Sequence, residues 1–175
     1  INSPKGKIPM GSEIIMSQNP RFAIKAAGSF KQKEGCSNES IDSLSAERLD
    51  YLCAGECYNP TNERNIIERI EVIKITPQIY LGEAISPLIQ DPWLTLPCQG
   101  TGECTVEFED QNFSRDSVYY VRVIQEATPA INGSPLSERD EFKLCKGSFR
   151  TDLQDNCLSM TNERAWSSPI YINKP

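Results

Sequence analysis

The chain has 175 residues, of which 38% are hydrophobic and 24% charged, as in a water-soluble globular protein with a real core. Its 18 Lys and Arg residues against 24 Asp and Glu residues give a formal charge of −6, and this argues against nucleic-acid binding, which needs clustered basic residues. No apolar window is long enough to span a membrane.

Alternation of apolar and polar residues predicts six short β-strands. In chain order they cover residues 9–15, 21–30, 66–76, 105–109, 117–127 and 165–173. Within the third strand, the alternation changes phase at Ile73, which indicates a bulge or a strand end that is covered on both sides. A helix over 62–73 is the alternative, but the β-branched residues of this segment favour a strand.

The fifth predicted strand, 117–127, carries apolar residues on both faces and is therefore expected at the centre of a sheet. Pro169 confines the last strand to an edge or to a strand start. One short helix is predicted over 43–51. Together these elements predict an all-β fold, an antiparallel immunoglobulin-like β-sandwich with at most one or two short helices, as a single domain over 1–175. Two long loops, about 34–63 and 129–163, interrupt it.

The chain contains no histidine, which excludes several kinds of active site. Ser-His-Asp and Cys-His nucleophile systems cannot be assembled without imidazole, and catalytic zinc loses its commonest ligand. Phosphate-cradling glycine loops and the nucleophile elbow are also missing. A hydrolase that works with carboxylates alone remains open and needs two acidic side chains within roughly 10 Å, but no spacing in the sequence identifies such a pair.

Seven cysteines lie among small and polar residues: Cys36, Cys53, Cys57, Cys98, Cys104, Cys145 and Cys157. Cys53 and Cys57 loosely fit a zinc knuckle, but the spacing of Cys98 and Cys104 is too wide for a second one. Disulfides fit better, because these segments turn back on themselves.

We therefore expect one disulfide between Cys98 and Cys104 and one between Cys145 and Cys157. A third is expected between two of Cys36, Cys53 and Cys57, although the sequence does not choose among them. The odd cysteine is either a free thiol or bonded to a segment outside this chain. Disulfides predict an oxidising compartment, the periplasm or the cell exterior. The first residues do not form a signal peptide, so we expect either a removed leader or a piece of a longer protein.

A few side chains are candidates for binding. Asp152, Asp155 and Asn156 lie close together in a polar loop and offer oxygen ligands for calcium, but their spacing does not match an EF-hand, and solvated loop side chains are the favoured interpretation. Trp93 and Trp166 are candidate interface residues, for which packing against the sandwich or an adjoining domain is favoured and sugar stacking is the alternative. Arg122 is expected to form an ion pair with Glu71 or Glu126, or to face an interface.

Short strings spread along the chain carry a resemblance to a known family. They are PMG at 9–11, PRF at 20–22, AAGSFKQK at 26–33, ERLDYLC at 47–53, IEVIKITPQ at 70–78, VYYVR at 118–122 with QE at 125–126, and RAWSSPI at 164–170. They resemble the C-terminal portion of the bacterial domain-of-unknown-function family 3604. Members of that family look like exported relatives of the polymerase-and-histidinol-phosphatase superfamily of metal-dependent phosphoesterases.

This resemblance implies a metal site in an N-terminal catalytic domain, beginning with a His-x-His motif. With no histidine in this chain, none of those ligands can be carried over, so the divalent metal is expected outside it. The chain is then expected to be a C-terminal, non-catalytic accessory β-sandwich that packs on its own catalytic domain and shapes access to it. The alternative is a free-standing secreted module that binds carbohydrate or protein.

Overall fold

The computed structural model describes residues 2–3, 6–53, 57–131 and 158–175. The chain divides into two compact units. Unit 1 combines Ile1–Gly28, Ile66–Gln125 and Arg164–Pro175, and unit 2 combines Ser29–Asn65 and Glu126–Glu163. The described residues are mostly in β-strands, as the sequence predicts, and they include two short α-helices.

Twelve strands are present in the described residues. They are β1 Asn2–Ser3, β2 Gly6–Lys7, β3 Glu13–Ile15, β4 Arg21–Ala27, β5 Phe30–Glu34, β6 Tyr58–Arg64, β7 Ile67–Ile75, β8 Ile89–Pro97, β9 Glu103–Glu109, β10 Ser117–Ile131, β11 Leu158–Trp166 and β12 Ile170–Asn173. A four-stranded sheet has the order β2-β1-β4-β9, and a six-stranded sheet the order β3-β12-β10-β7-β8 with β11 also paired to β10. Strands β5 and β6 form a separate two-stranded sheet.

The six-stranded sheet is organised around β7 and β10, which pair in antiparallel register from Val118 opposite Ile75 to Gln125 opposite Ile67. Ile70, Val72 and Ile73 of β7 are fully buried, because this strand is covered on both faces. The pairing of β7 with β8 shifts register between Val72 and Lys74, where the sequence alternation changes phase.

Both larger sheets of unit 1 contribute side chains to the same buried clusters. In one cluster, Phe22 of β4 packs with Tyr119 of β10 and Ile172 of β12, and Phe108 of β9 lies against them. In the other, Ile67 and Ile70 of β7 pack with Cys104 of β9. Burial of these apolar side chains supplies the main driving force for association of the two sheets.

Unit 2 contains the antiparallel β5–β6 pair and both helices, α1 Asn38–Ser43 and α2 Ala46–Cys53, which lie in the connection between the two strands. The Ser37 hydroxyl accepts a hydrogen bond from the backbone N–H of Ser40, which satisfies a free donor in the first turn of α1. Neither helix contains a buried residue. No helix in the described part of the chain has both the length and the apolarity needed to cross a membrane.

Several predicted boundaries differ from the structure. The predicted strand 21–30 is divided between β4 and β5, and 165–173 is divided between β11 and β12 before Pro169, which has no N–H for a continuous ladder. Residues 34–63 contain α1, α2 and β6 rather than one long loop with a helix at 43–51. Strand β8 has no predicted counterpart, because Asp91, Pro92 and Pro97 disrupt the usual strand pattern.

Candidate functional site

A buried polar cluster joins the two larger sheets of unit 1. The Asp110 carboxylate, 1% exposed, follows β9 and accepts hydrogen bonds from Lys74 Nζ at 2.5 Å and Tyr119 Oη at 2.6 Å. Its second oxygen accepts one from the Asn112 backbone N–H at 3.0 Å. Lys74 and Tyr119 lie opposite each other on β7 and β10, so neighbouring strands present both donors to one carboxylate.

Aromatic rings surround this cluster. Lys74 Nζ lies 5.1 Å from the centre of the Trp93 ring and 5.7 Å from that of Tyr119, distances that favour cation–π attraction. Burial raises the pKa of the Tyr119 hydroxyl far above its usual range, and the hydrogen bond to Asp110 adds to this effect. Because each charged group is paired and Tyr119 stays protonated, the cluster is a structural link between the sheets rather than a proton-transfer centre.

A second polar network includes the predicted residue Arg122. Its guanidinium donates from Nε to Glu71 at 2.7 Å, and its Nη2 contacts Glu71 at 2.6 Å and Asp91 at 2.8 Å. Arg69 Nε also donates to Glu71 at 2.8 Å. Burial disfavours the charged form of Glu71, but these arginines outweigh that effect and hold the pKa of its carboxyl below the usual value.

The close approach of Glu71 and Asp91 tests the hypothesis that the chain is a hydrolase working with carboxylates alone. Both carboxylates contact the same Arg122 nitrogen, so their oxygens lie within the separation that a glycosidase pair requires. The guanidinium, however, occupies the space where the substrate bond must lie. A general acid also needs a raised pKa, whereas that of Glu71 is lowered. This pair therefore does not form a hydrolytic site.

An apolar cavity of about 420 Å³ lies within unit 1, between residues of the four-stranded and six-stranded sheets. Its volume is within the range of small-ligand sites. Its lining includes Met10, Ala26, Val121 and Trp166. The edge of β4 beside it pairs with β1 only at Arg21 among the described residues, and both Met10 and Trp166 are exposed.

The two predicted tryptophans have different environments. Trp93 is half-buried, packs on the Phe22–Tyr119 cluster and meets Phe108 edge-on with ring centres 5.9 Å apart. This places Trp93 in the packing role that the sequence favours. Trp166 has 59% of its surface exposed and lines the cavity, so it is available to a partner.

The structure resolves how the described cysteines pair. One disulfide joins Cys98 to Cys104, linking the end of β8 to β9 and thus the two larger sheets. A second joins Cys36 to Cys57, and Cys53 is a free thiol beside it. The expected Cys145–Cys157 bond lies outside the described residues, as do the calcium candidates Asp152, Asp155 and Asn156.

The described residues do not fit the metal site that the family resemblance implies. That site needs histidines, and the sequence has none. Among the described residues, the one group of three Cys, Asp or Glu side chains close enough to hold a metal ion is formed by Cys36, Cys53 and Cys57. Two of those sulfurs are bonded to each other, so they are not thiolate ligands.

Comparison with known proteins returns no family model, no curated protein and no solved structure that matches this chain. The geometry of the described residues therefore provides the basis for a functional proposal. The residues that sequence reasoning missed are Lys74, Asp110 and Tyr119. Lys74 lies between Ile73 and Ile75, and a charged residue flanked by apolar ones was the one available signal that a buried partner is needed.

Proposed function

We propose that this chain is an exported, non-catalytic accessory domain with an immunoglobulin-like β-sandwich. It packs on a metal-dependent phosphohydrolase-like catalytic domain of the same polypeptide and shapes access to that domain's active site. Two sheets that share one core and a disulfide between them support the sandwich. The disulfides also support a periplasmic or extracellular location.

The observation that carries an accessory role is the open apolar cavity of unit 1. The polar hydroxyl of Tyr119, which lines the cavity, is paired with Asp110, and Asp110 is paired with Lys74. Glu71 and Arg122, which do not line the cavity, are paired with each other. The cavity itself offers mainly apolar contacts, which suit an apolar segment of an adjoining domain better than a charged substrate. We therefore assign the cavity as the docking site for the catalytic domain.

An apolar fluorescent dye tests whether the cavity is open to a docking segment. We expect the dye to bind the wild-type chain and the binding to fall at least tenfold in Ala26→Leu, because the larger side chain extends from the half-buried lining position. Ala46→Leu, an exposed substitution on α2 in unit 2, is the matched control and should bind as the wild type does. Equal binding in all three chains would remove the cavity from the proposal.

The second candidate is a free-standing module that binds carbohydrate or protein, and the exposed Trp166 ring favours it. Aromatic faces are common platforms for sugar rings because one face of a sugar is largely apolar. Soluble polysaccharides that quench tryptophan fluorescence in the wild type but not in Trp166→Ala would support this alternative over the accessory role. Trp93→Phe serves as the control for the half-buried tryptophan.

A further inference from the structure

Three cysteine sulfurs of unit 2 are in mutual contact. A disulfide joins Cys36 to Cys57. The free sulfur of Cys53 lies 3.0 Å from that of Cys57 and 3.6 Å from that of Cys36. A free thiol within reach of both sulfurs of a disulfide has the arrangement from which thiol–disulfide exchange begins.

Secondary structure brings the three residues together. Cys36 lies two residues after the end of β5 at Glu34, and Cys57 directly precedes β6. The Gly35 backbone N–H donates to the Cys57 carbonyl at 2.7 Å, and Asn59 Nδ2 donates to the Gly35 carbonyl at 2.6 Å. These bonds hold Cys36 and Cys57 together just beyond the Glu34–Tyr58 end of the β5–β6 pair. Cys53 is the last residue of α2, so the end of the helix places a third sulfur against the bond.

We propose that Cys36, Cys53 and Cys57 form a thiol–disulfide exchange site. The Cys53 thiolate attacks the Cys57 sulfur, a new Cys53–Cys57 bond forms, and the Cys36–Cys57 bond breaks with Cys36 leaving as the thiolate. Cys53 has given up one proton and Cys36 takes one up, so no oxidant or reductant is consumed. Attack on the Cys36 sulfur instead gives a Cys36–Cys53 bond and a free Cys57.

Side-chain rotation of Cys53 is part of this step. In the transition state of thiol–disulfide exchange the three sulfurs lie nearly in line. Because an S–S bond is about 2 Å long, the outer two sulfurs are then about 4–5 Å apart. The Cys53 sulfur lies beside the bond, closer than that to both sulfurs. Cys53 is half-buried at a helix end, where a change of side-chain rotamer does not disturb a packed core.

A metal site is less consistent with this arrangement than exchange is. Thiolate ligation of a soft metal needs all three sulfurs reduced, and two of them are bonded to each other. Exchange needs only the bond and the free thiol that are present. It also has a structural consequence, because each isomer ties a different pair among the β5 end, the α2 end and the β6 start. This inference is independent of the accessory role proposed above.

Time-resolved thiol labelling of the unreduced full chain tests the exchange. The chain is incubated without oxygen at mildly alkaline pH, samples are alkylated with N-ethylmaleimide at intervals, and the labelled cysteines are mapped by mass spectrometry. Among Cys36, Cys53 and Cys57 we expect one label per chain, which is on Cys53 in some molecules and on Cys36 or Cys57 in others. The proposal is overturned if one disulfide pairing of these cysteines is found at all times. A permanent disulfide from Cys53 to Cys145 or Cys157 would overturn it as well.

Variants separate the nucleophile from its targets. Cys53→Ala should keep the Cys36–Cys57 bond, and neither Cys36 nor Cys57 should then be labelled, because no thiol remains to attack the bond. Cys36→Ala should form a Cys53–Cys57 bond, and Cys57→Ala should form a Cys36–Cys53 bond. The Cys98–Cys104 disulfide of the same chain is the internal control and should stay unlabelled. If both of the last two variants retain two free thiols, the alternative bonds cannot form and the proposal fails.

Discussion

Replacement of Asp110 by Asn is the sharpest test of how the two larger sheets of unit 1 are joined. Asp110→Asn keeps the size of the side chain but removes the negative charge that faces Lys74 and Tyr119. The amide also places N–H groups where an oxygen now accepts a hydrogen bond. Lys74 is then left mostly buried, with 13% of its side chain exposed, and without its counter-charge.

The expected cost follows from this geometry. Removal of one partner of a buried ion pair costs roughly 3–5 kcal/mol, and the residual exposure of Lys74 favours the lower end. We therefore expect Asp110→Asn to lower the free energy of unfolding by about 3 kcal/mol. Urea titration followed by tryptophan fluorescence measures this value, because Trp93 lies beside the cluster.

A double-mutant cycle isolates the Lys74–Asp110 interaction. Lys74→Met leaves the buried carboxylate without its cation, while Lys74→Met together with Asp110→Asn leaves neither charge. We expect the double variant to be about 2 kcal/mol more stable than the sum of the single losses implies. Glu109→Gln, which breaks only the surface pair with Arg21, is the matched control and should cost no more than about 1 kcal/mol. Additive losses, or a loss below about 1 kcal/mol for Asp110→Asn, would refute the structural role of the cluster.

Three further predictions concern stability. Arg122→Met should lower the free energy of unfolding by about 1–2 kcal/mol at neutral pH. The pKa of Glu71 is lowered in the folded chain, so the stability difference between the wild type and Arg122→Met should be complete above the unfolded pKa of Glu71, about 4.3. It should shrink as the pH falls through the folded pKa. A stability difference that persists in acid would contradict the pairing of Arg122 with Glu71. Because folding raises the pKa of Tyr119, the hydroxyl's contribution to the free energy of unfolding is complete below about pH 10. Above that pH, the stability difference between the wild type and Tyr119→Phe should narrow by up to about 1.4 kcal/mol per pH unit. A constant difference in urea titrations from neutral to alkaline pH would contradict the burial of this hydroxyl. Replacing Cys98 and Cys104 together by Ser should cost about 2.4 kcal/mol, the chain-entropy value for so short a loop, and an unchanged urea midpoint would show that this bond does not restrain the chain.

The sequence predicts the central strands better than the peripheral ones. Strands β7 and β10 are predicted nearly in full, because their β-branched and aromatic residues are buried on both faces. Strand β6 is missed, since it belongs to a two-stranded sheet whose residues are exposed or only half-buried and therefore show no apolar alternation.

Long-range partners explain most of what the sequence could not predict. Asp110 follows a strand and has the appearance of a turn residue, yet it binds Lys74 and Tyr119 from two other strands. In the same way, the choice among Cys36, Cys53 and Cys57 depends on how the β5–β6 strand pair and α2 meet. Local pattern identifies such residues but does not give their partners.

An activity measurement on the full chain tests the non-catalytic role most directly. The chain is assayed against phosphate monoesters and diesters with magnesium, manganese, zinc or iron added in turn. We expect turnover no higher than that of the same metals in buffer, because the chain has no histidine and the described residues bring together no group of three or more possible metal ligands except Cys36, Cys53 and Cys57. Turnover that saturates with substrate, co-purifies with the chain and disappears with a chelator would contradict the proposed function.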